Sequence, residues 1–299
     1  MDLRNLDELV RRAQKKESRK LVVAAAQDEH VLEAVAKAYE AEIIEPVLVG
    51  NLNQIKKICN DLKISTINYT TIEESDPVKA CELSVSLIKE GKADILMKGM
   101  VATALFLKAI LNKENGLRKR KVLSHVALFE VPAYHKLIGI TDAAMNIQPD
   151  IHEKINIIDN AVEVFHRLGQ PRPKVAVLGP VEVVNEKIES TQHAATLKSM
   201  NERNEIQGCI IDGPLALDIA VAKEAAEHKN IPGEVAGDAD ILVTPDLNSG
   251  NILYKSLIFL GGSTSAAVVM GASAPIVLTS RADSEKSKFM SIVLAAALE

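Results

Sequence analysis

Short apolar runs alternate with amphipathic helical patterns along most of this chain, and that rhythm limits its possible folds more than any other feature. Residues 4 to 16 open with an amphipathic helix carrying Leu6, Leu9 and Val10 on one face, and Lys20 to Ala26 (KLVVAAA) then reads as a buried strand. Asp28 is placed to cap the next helix, in which Val31, Leu32, Val35 and Tyr39 recur at helical spacing. The pattern continues with strands at Pro46 to Val49, near Ile67 and at Ala93 to Met97, and with helices at Leu52 to Leu62, Val78 to Lys89 and Thr103 to Leu111. Strands written as continuous apolar runs are buried on both faces, so the expected class is α/β with a largely parallel sheet.

Two strand-like runs, Val122 to Val131 and Lys136 to Thr141, follow without a helix between them and interrupt the rhythm. A helix from Ile151 to Leu168 comes next. The alternation then resumes with strands at Lys174 to Leu178, Cys209 to Ile211, Asp240 to Val243, Ala266 to Met270 and Ile276 to Leu278. Helices are expected at Thr191 to Met200, Leu217 to His228, Asn251 to Leu260 and Ser284 to Leu298. At 299 residues the chain is long for one core, so two lobes are expected: residues 1–133 with 272–299 as a first α/β domain, and 134–271 as a second.

The formal net charge of -5 speaks against a nucleic-acid surface, leaving the basic run Arg118-Lys119-Arg120-Lys121 as a solvated loop or a contact for ligand phosphates. Cys59, Cys81 and Cys209 are isolated and read as reduced and structural. The first residues lack the basic-then-apolar layout of a secretory signal, and no run reaches the roughly 18 apolar residues of a membrane span. A cytoplasmic protein with no membrane partner is expected.

The first strand-to-helix turn, Ala25-Ala26-Gln27-Asp28-Glu29-His30, has no glycine, so the dinucleotide fingerprint is missing where it belongs. No P-loop, GxSxG elbow, HExxH or EF-hand loop occurs, and the seven histidines fall in no catalytic or metal spacing. What remains is a set of polar strand ends: Lys98-Gly99, Thr141-Asp142, Gly179-Pro180, Asp212-Gly213-Pro214, Pro245 to Asn251, and Ser280-Arg281. In open α/β sheets such carboxyl edges bind ligands. Ser249, Gly250 and Asn251 fall at a helix start, where free N–H groups can receive a phosphate, and Ser280 with Arg281 offers a hydroxyl and a fork of donors suited to an acyl phosphate.

These elements, Ile211-Asp212-Gly213-Pro214, then Pro245-Asp246-Leu247-Asn248-Ser249-Gly250-Asn251-Ile252-Leu253-Tyr254-Lys255, then Leu260-Gly261-Gly262 and Thr279-Ser280-Arg281, resemble the phosphate acetyl/butyryltransferase family in order and approximate spacing. Asp142, Asn146 and Pro149 also look like its central motif. Length and the wording TSRADS resemble the butyryl branch more than the acetyl branch. The resemblance implies two α/β/α domains of the isocitrate/isopropylmalate dehydrogenase type with a cleft site, a homodimer or higher homo-oligomer, and a role in short-chain fatty acid metabolism. It implies the reaction butanoyl-CoA plus phosphate to butanoyl phosphate plus CoA, by direct transfer in a ternary complex. CoA then enters as substrate, with no tightly bound cofactor and no metal.

On the same footing Arg281 would hold phosphate and stabilise the oxyanion, and Ser280 would hydrogen-bond the sulfur or the transferring oxygen. The implied substrate-binding set is Lys98, Lys108, Asp142, Asn146, Asp246, Asn248, Gly250, Asn251, Tyr254 and Lys255. One departure stands out: Ser287 occupies the position where the acetyltransferases carry a carboxylate proposed to deprotonate the thiol, which leaves Asp283 and Glu285 as the nearby acids. Alternatives are a phosphate acetyltransferase, a metal- and NAD-dependent hydroxyacid dehydrogenase on the same type of fold, and a non-catalytic CoA or small-molecule binding protein.

Overall fold

The computed structural model describes residues 4–280 and 283–299. They form a mixed α/β fold that divides into two compact units: a terminal unit of Asp7–Lys121 with Ala266–Glu299, and a central unit of the residues up to Leu6 with Val122–Ser265.

The terminal unit starts with helix α1 (Asp7–Ala13) and continues as β1 (Arg19–Ala24), α2 (Glu29–Glu40), β2 (Ile44–Gly50), α3 (Leu52–Asp61), β3 (Thr70–Glu73), α4 (Pro77–Lys89), β4 (Ile95–Lys98) and α5 (Thr103–Ile110). Apolar side chains buried on both faces, such as Leu21, Val22 and Val23 in β1 and Ile95, Leu96 and Met97 in β4, account for the parallel pairing of β1 with β2 and with β4. Asp28 caps α2 as expected, its Oδ1 accepting from the Val31 N–H at 3.0 Å. The edge strand β3 falls at Thr70–Glu73 rather than near Ile67, which is 87% exposed. An edge strand buries little, so its apolar signal is faint in the sequence.

The central unit comprises β5 (Ser124–Glu130), β6 (Ile138–Thr141), α6 (Ile151–Arg167), β7 (Lys174–Leu178), α7 (Glu189–Glu202), β8 (Ile210–Leu215), α8 (Leu217–Val221), α9 (Lys223–His228), β9 (Ile241–Val243) and α10 (Leu247–Phe259). Its strands lie in the order β5-β6-β9-β7-β8, with β5–β6 antiparallel and the other pairs parallel. The missing helix between the two adjacent runs is thus explained: they pair directly with each other. The one helix expected at Leu217 to His228 is broken by the extended backbone of Ala222. Asp212-Gly213-Pro214, read from sequence as a strand end, lies inside β8, where Asp212 binds Lys198 at 2.7 Å.

At the amino ends of β6, β9 and β7 the central unit holds a partly buried ion network. Lys136, 4% exposed, reaches Asp240 at 2.7 Å and Asp238 at 2.8 Å, and Lys174 joins Asp238 at 2.5 Å. Burial alone would raise the Asp238 pKa, yet hydrogen bonds from Lys136 and Lys174 hold it well below the ordinary carboxylate range.

The chain returns to the terminal unit through β10 (Thr264–Met270), β11 (Ile276–Val277) and α11 (Glu285–Leu298). There β11 pairs parallel with β4, giving the order β3-β2-β1-β4-β11-β10. Helix α11 is buried along most of its length against α1 and α2.

Candidate active site

In the central unit the strands β6 and β9 run side by side, Thr141 beside Val243, so the turns that follow them leave the sheet at one edge. Asp142 is 3% exposed, and its carboxylate is committed to its own turn. Oδ1 accepts from the Ala144 and Met145 N–H groups at 2.8 and 3.0 Å, while Oδ2 accepts from Asn146 Nδ2 at 2.5 Å. Asn146 also donates to the Leu123 oxygen at 2.9 Å. The two central-motif residues therefore build a closed turn.

Helix α10 begins at Leu247, four residues earlier than the sequence pattern indicates, because Asp246 caps it. Its Oδ1 accepts from the Ser249 N–H at 2.8 Å, and Ser249 Oγ lies 3.3 Å from the Asp246 N–H, completing a capping box. Ser249, Gly250 and Asn251 thus lie within the first turns, and part of the N–H capacity expected to receive phosphate is already engaged by Asp246. Asn251 Nδ2 donates to the Ala143 oxygen at 3.3 Å, and Thr244 Oγ1 to the Asp142 oxygen at 3.1 Å. These bonds stitch the motif around Asp246 to the motif around Asp142. Tyr254 packs edge-on against Phe129 with ring centroids 5.0 Å apart and shares a hydrogen bond with Ser265 at 3.0 Å. Asn248 and Lys255 are exposed.

Two residues that sequence reasoning passed over stand beside this knot. Lys154 of α6 is 3% exposed and lies 3.0 Å from Nδ1 of His193 on α7. Burial pushes the Lys154 ammonium below the ordinary lysine value against the opposing pull of Glu189, Asp246 and Asp150. Burial, then the Lys154 charge, depresses the His193 pKa in turn. A lysine bonded to Nδ1 requires the His193 tautomer with its proton on Nε2. No local spacing signals this pair, since the partners come from different helices.

In the terminal unit β4 and β11 pair Met97 with Val277, so Lys98 and Ser280 leave the sheet from neighbouring strands at the same edge. Lys98 is 7% exposed, its Nζ donating to the Gly99 and Val101 oxygens at 3.2 Å each. Lys108 lies exposed on α5. The Ser280 N–H donates to Asp283 Oδ2 at 2.7 Å, so Asp283, one of the candidate acids, is tied into the turn. Arg281 lies outside the described residues. Glu285, the other candidate acid, pairs with Lys37. Ser287, where a carboxylate is expected, is 7% exposed and joins the cap of α11, its N–H donating to Ser284 Oγ at 3.1 Å. Lys288 is a further residue that sequence reading missed: its Nζ donates to the Ser280 and Asp283 oxygens at 3.0 and 2.6 Å. Its i, i+3, i+4 relation to buried Ser291 and Ile292 was the available signal.

Arg118 folds back on its own run, donating to the Lys121 oxygen at 2.6 Å. Cys59, Cys81 and Cys209 are free and buried, and burial raises the Cys81 and Cys209 thiols to about 11 and about 12. Among the described residues no cluster of His, Cys, Asp and Glu could hold a metal ion, and no helix is long and apolar enough to cross a membrane. Chemically, each edge offers polar groups suited to anions: buried cations, an anchored serine turn and helix starts.

The family profile for phosphate acetyl/butaryl transferases matches residues 5–82 and 77–296. A phosphate butyryltransferase of Clostridium acetobutylicum is 46% identical over 294 residues, 98% of each chain. A phosphate acetyltransferase of Thermotoga maritima is 44% identical over 291 residues, covering 97% of this chain and 98% of its own. Among solved structures, a branched-chain phosphotransacylase from Enterococcus faecalis V583 superimposes with a TM-score of 0.83 at 35% identity, covering 94% of this chain and 98% of its own.

Proposed function

This chain belongs to the phosphate acetyl/butaryl transferase family and is an acyltransferase, and we propose that it converts butanoyl-CoA and phosphate to butanoyl phosphate and CoA. The observation that carries this reading is the 46% identity to a phosphate butyryltransferase along 98% of both chains. In the proposed reaction an oxygen of hydrogen phosphate attacks the thioester carbon, the carbonyl oxygen becomes an oxyanion, and the C–S bond breaks to release CoA thiolate, which takes up the proton that the phosphate gives up. Both substrates are held together, and the acyl group passes directly between them. CoA serves as a substrate, and no resident cofactor takes part in this proposal.

Such a reaction gains most from positioning and from positive charge near the developing oxyanion. We assign Arg281 to the phosphate and the oxyanion, and Ser280 to the sulfur or the transferring oxygen. The exposed Asn248 and Lys255, with Lys98 and Lys108, supply the polar and cationic groups toward phosphate and CoA in this assignment. Asp142, Asn146, Asp246, Gly250, Asn251 and Tyr254 serve it by shaping the central-unit edge that carries Asn248 and Lys255. Ser287 is engaged in the helix cap, so the proposed mechanism uses no carboxylate at that position and relies on nearby cations to favour the thiolate.

The isocitrate/isopropylmalate dehydrogenase-like description, a cytoplasmic site of action and a homodimer or higher homo-oligomer complete the proposal. Exposed Ile252 and Phe259 on α10, with Leu260 at its C-cap, accord with a second copy covering that helix, which light scattering in solution tests.

The testing experiment is a thiol-release assay with butanoyl-CoA and phosphate; a folded protein that releases no CoA refutes the reading. A second reading, phosphate acetyltransferase, is favoured by the 44% identity to the Thermotoga maritima enzyme. Comparing kcat/KM for acetyl-CoA and butanoyl-CoA decides between them, with a difference of about 1 to 3 kcal/mol expected from the extra methylenes.

A further inference from the structure

We propose that Lys288 is a positioning residue for acyl transfer: its buried ammonium grips the main chain of Ser280 and Asp283, and so fixes the turn from which Ser280 acts. This inference rests on the proposed function for the role of Ser280, and on the terminal unit alone for its geometry.

The Ser280 main chain is held from both sides. Its N–H donates to Asp283 Oδ2 at 2.7 Å, and its oxygen accepts from Lys288 Nζ at 3.0 Å. The same ammonium donates to the Asp283 oxygen at 2.6 Å, and the Asp283 N–H returns to the Ser280 oxygen at 3.2 Å. One cation and one carboxylate thereby close the turn at both ends. Arg281 lies between these anchors in the sequence.

Helix α11 does not need this ammonium for its own sake. Ser284 already caps it through the Ser287 N–H, and Lys288 is buried together with Met290, Ser291 and Ile292. An apolar side chain of the same length would fill that space without the cost of burying a charge. Burial indeed pushes the Lys288 pKa below the ordinary lysine value, while Asp283 and Asp28 favour its charged form. What the charge gains is the turn: three rotatable donors on a long stem can bind two oxygens that point to one place.

The test compares Lys288→Met, which keeps the stem and removes the ammonium, with Lys288→Arg, which keeps donors. Two quantities are read: amide hydrogen exchange of the ligand-free protein, and kcat and KM with butanoyl-CoA and phosphate. Lys288→Met is expected to speed exchange in residues 276–284 only and to lower kcat on the order of 10- to 100-fold, with KM for butanoyl-CoA within about 3-fold and with partial recovery in Lys288→Arg. Unchanged exchange or unchanged kcat in Lys288→Met overturns the proposal. So does a loss of kcat that merely follows unfolding of the whole of α11 and is not recovered by Lys288→Arg. If the wild-type protein turns over neither butanoyl-CoA nor acetyl-CoA, the functional reading fails, while the exchange measurement still decides whether Lys288 holds the turn.

Discussion

Gly250 passes so close to Asp142 that a Cβ on Gly250 would lie 2.3 Å from the Asp142 main-chain oxygen. The same added atom would come within 2.7 Å of Thr244 Oγ1 and 3.1 Å of the Ala143 Cα. The nearest obstacle is main chain, which cannot turn aside as a side chain can, so relief requires the start of α10 to move off the end of β6. Gly250→Ala is therefore expected to destabilise the protein by about 3 kcal/mol, the upper range for overpacking, read as a lowered urea midpoint. An unchanged midpoint would refute the close approach.

Asp246 has one demonstrated task, capping α10, and one proposed task, shaping the substrate edge. Replacing it by Ala should cost about 1 kcal/mol of stability through the lost cap. Asp246→Ser keeps a capping oxygen and should recover most of that stability. If kcat/KM recovers with it, the residue acts through the helix start; if activity stays low while stability returns, the carboxylate itself faces substrate.

The Lys154–His193 contact predicts a pH dependence of stability. His193 has a folded-state pKa depressed below its unfolded value of ~6.5, chiefly by burial and then by Lys154. Just below pH ~6.5 the unfolded chain therefore binds more protons than the folded one, so stability rises with pH there and is lost as pH falls. Glu189 and Asp150 also face the pair and oppose the shift. His193→Gln keeps an acceptor for Lys154 but cannot titrate, and chemical denaturation across pH 5 to 7 should show a flatter slope than wild type. An unaltered slope would refute the assignment.

Lys136 and Asp240 are each 4% exposed in the side chain and bind at 2.7 Å. Lys136→Met removes the cation and leaves the buried Asp240 charge with the Lys174 N–H, which donates to its Oδ2 at 2.7 Å, so the expected loss is about 3 kcal/mol, the lower end for a broken buried pair. Because the network lies at the amino ends of β6, β7 and β9, opposite the edge carrying Asp142 and Asp246, the folded fraction should keep kcat near the wild-type value. Denaturant titration and turnover of the same preparation check both halves of this expectation.

The strands and most helices were legible because long apolar runs and helical spacing survive in the sequence: Lys174–Leu178 matches its strand end to end, and Asp28 caps α2 as its position implies. The failures have local causes. Ile67 is apolar but exposed, so it drew the edge strand away from Thr70–Glu73. The start of α10 was set too late because Leu247-Asn248-Ser249-Gly250 reads as a loop until Asp246 is seen to cap it. At the candidate site, motif order singled out Asp142 and Asn146, yet it could not show that the two satisfy each other within a single turn. Lys154 with His193 is a contact between separate helices, and no spacing along the chain encodes it.

Apart from the residues up to Leu6, the central unit is an insertion within the terminal unit, and this has a consequence for synthesis on the ribosome. Residues Val122–Ser265 emerge as one continuous stretch, so the central unit has all its parts while the terminal unit still lacks most of β10, β11 and α11. Until those last elements arrive, β4 has no neighbour on its β11 side, and α1 and α2 leave uncovered the surfaces that α11 will bury. A chain that ended at Ser265 would therefore hold a complete central unit and an adhesive, protease-sensitive terminal one. The turn carrying Ser280 and its Lys288 anchor would be assembled last of all.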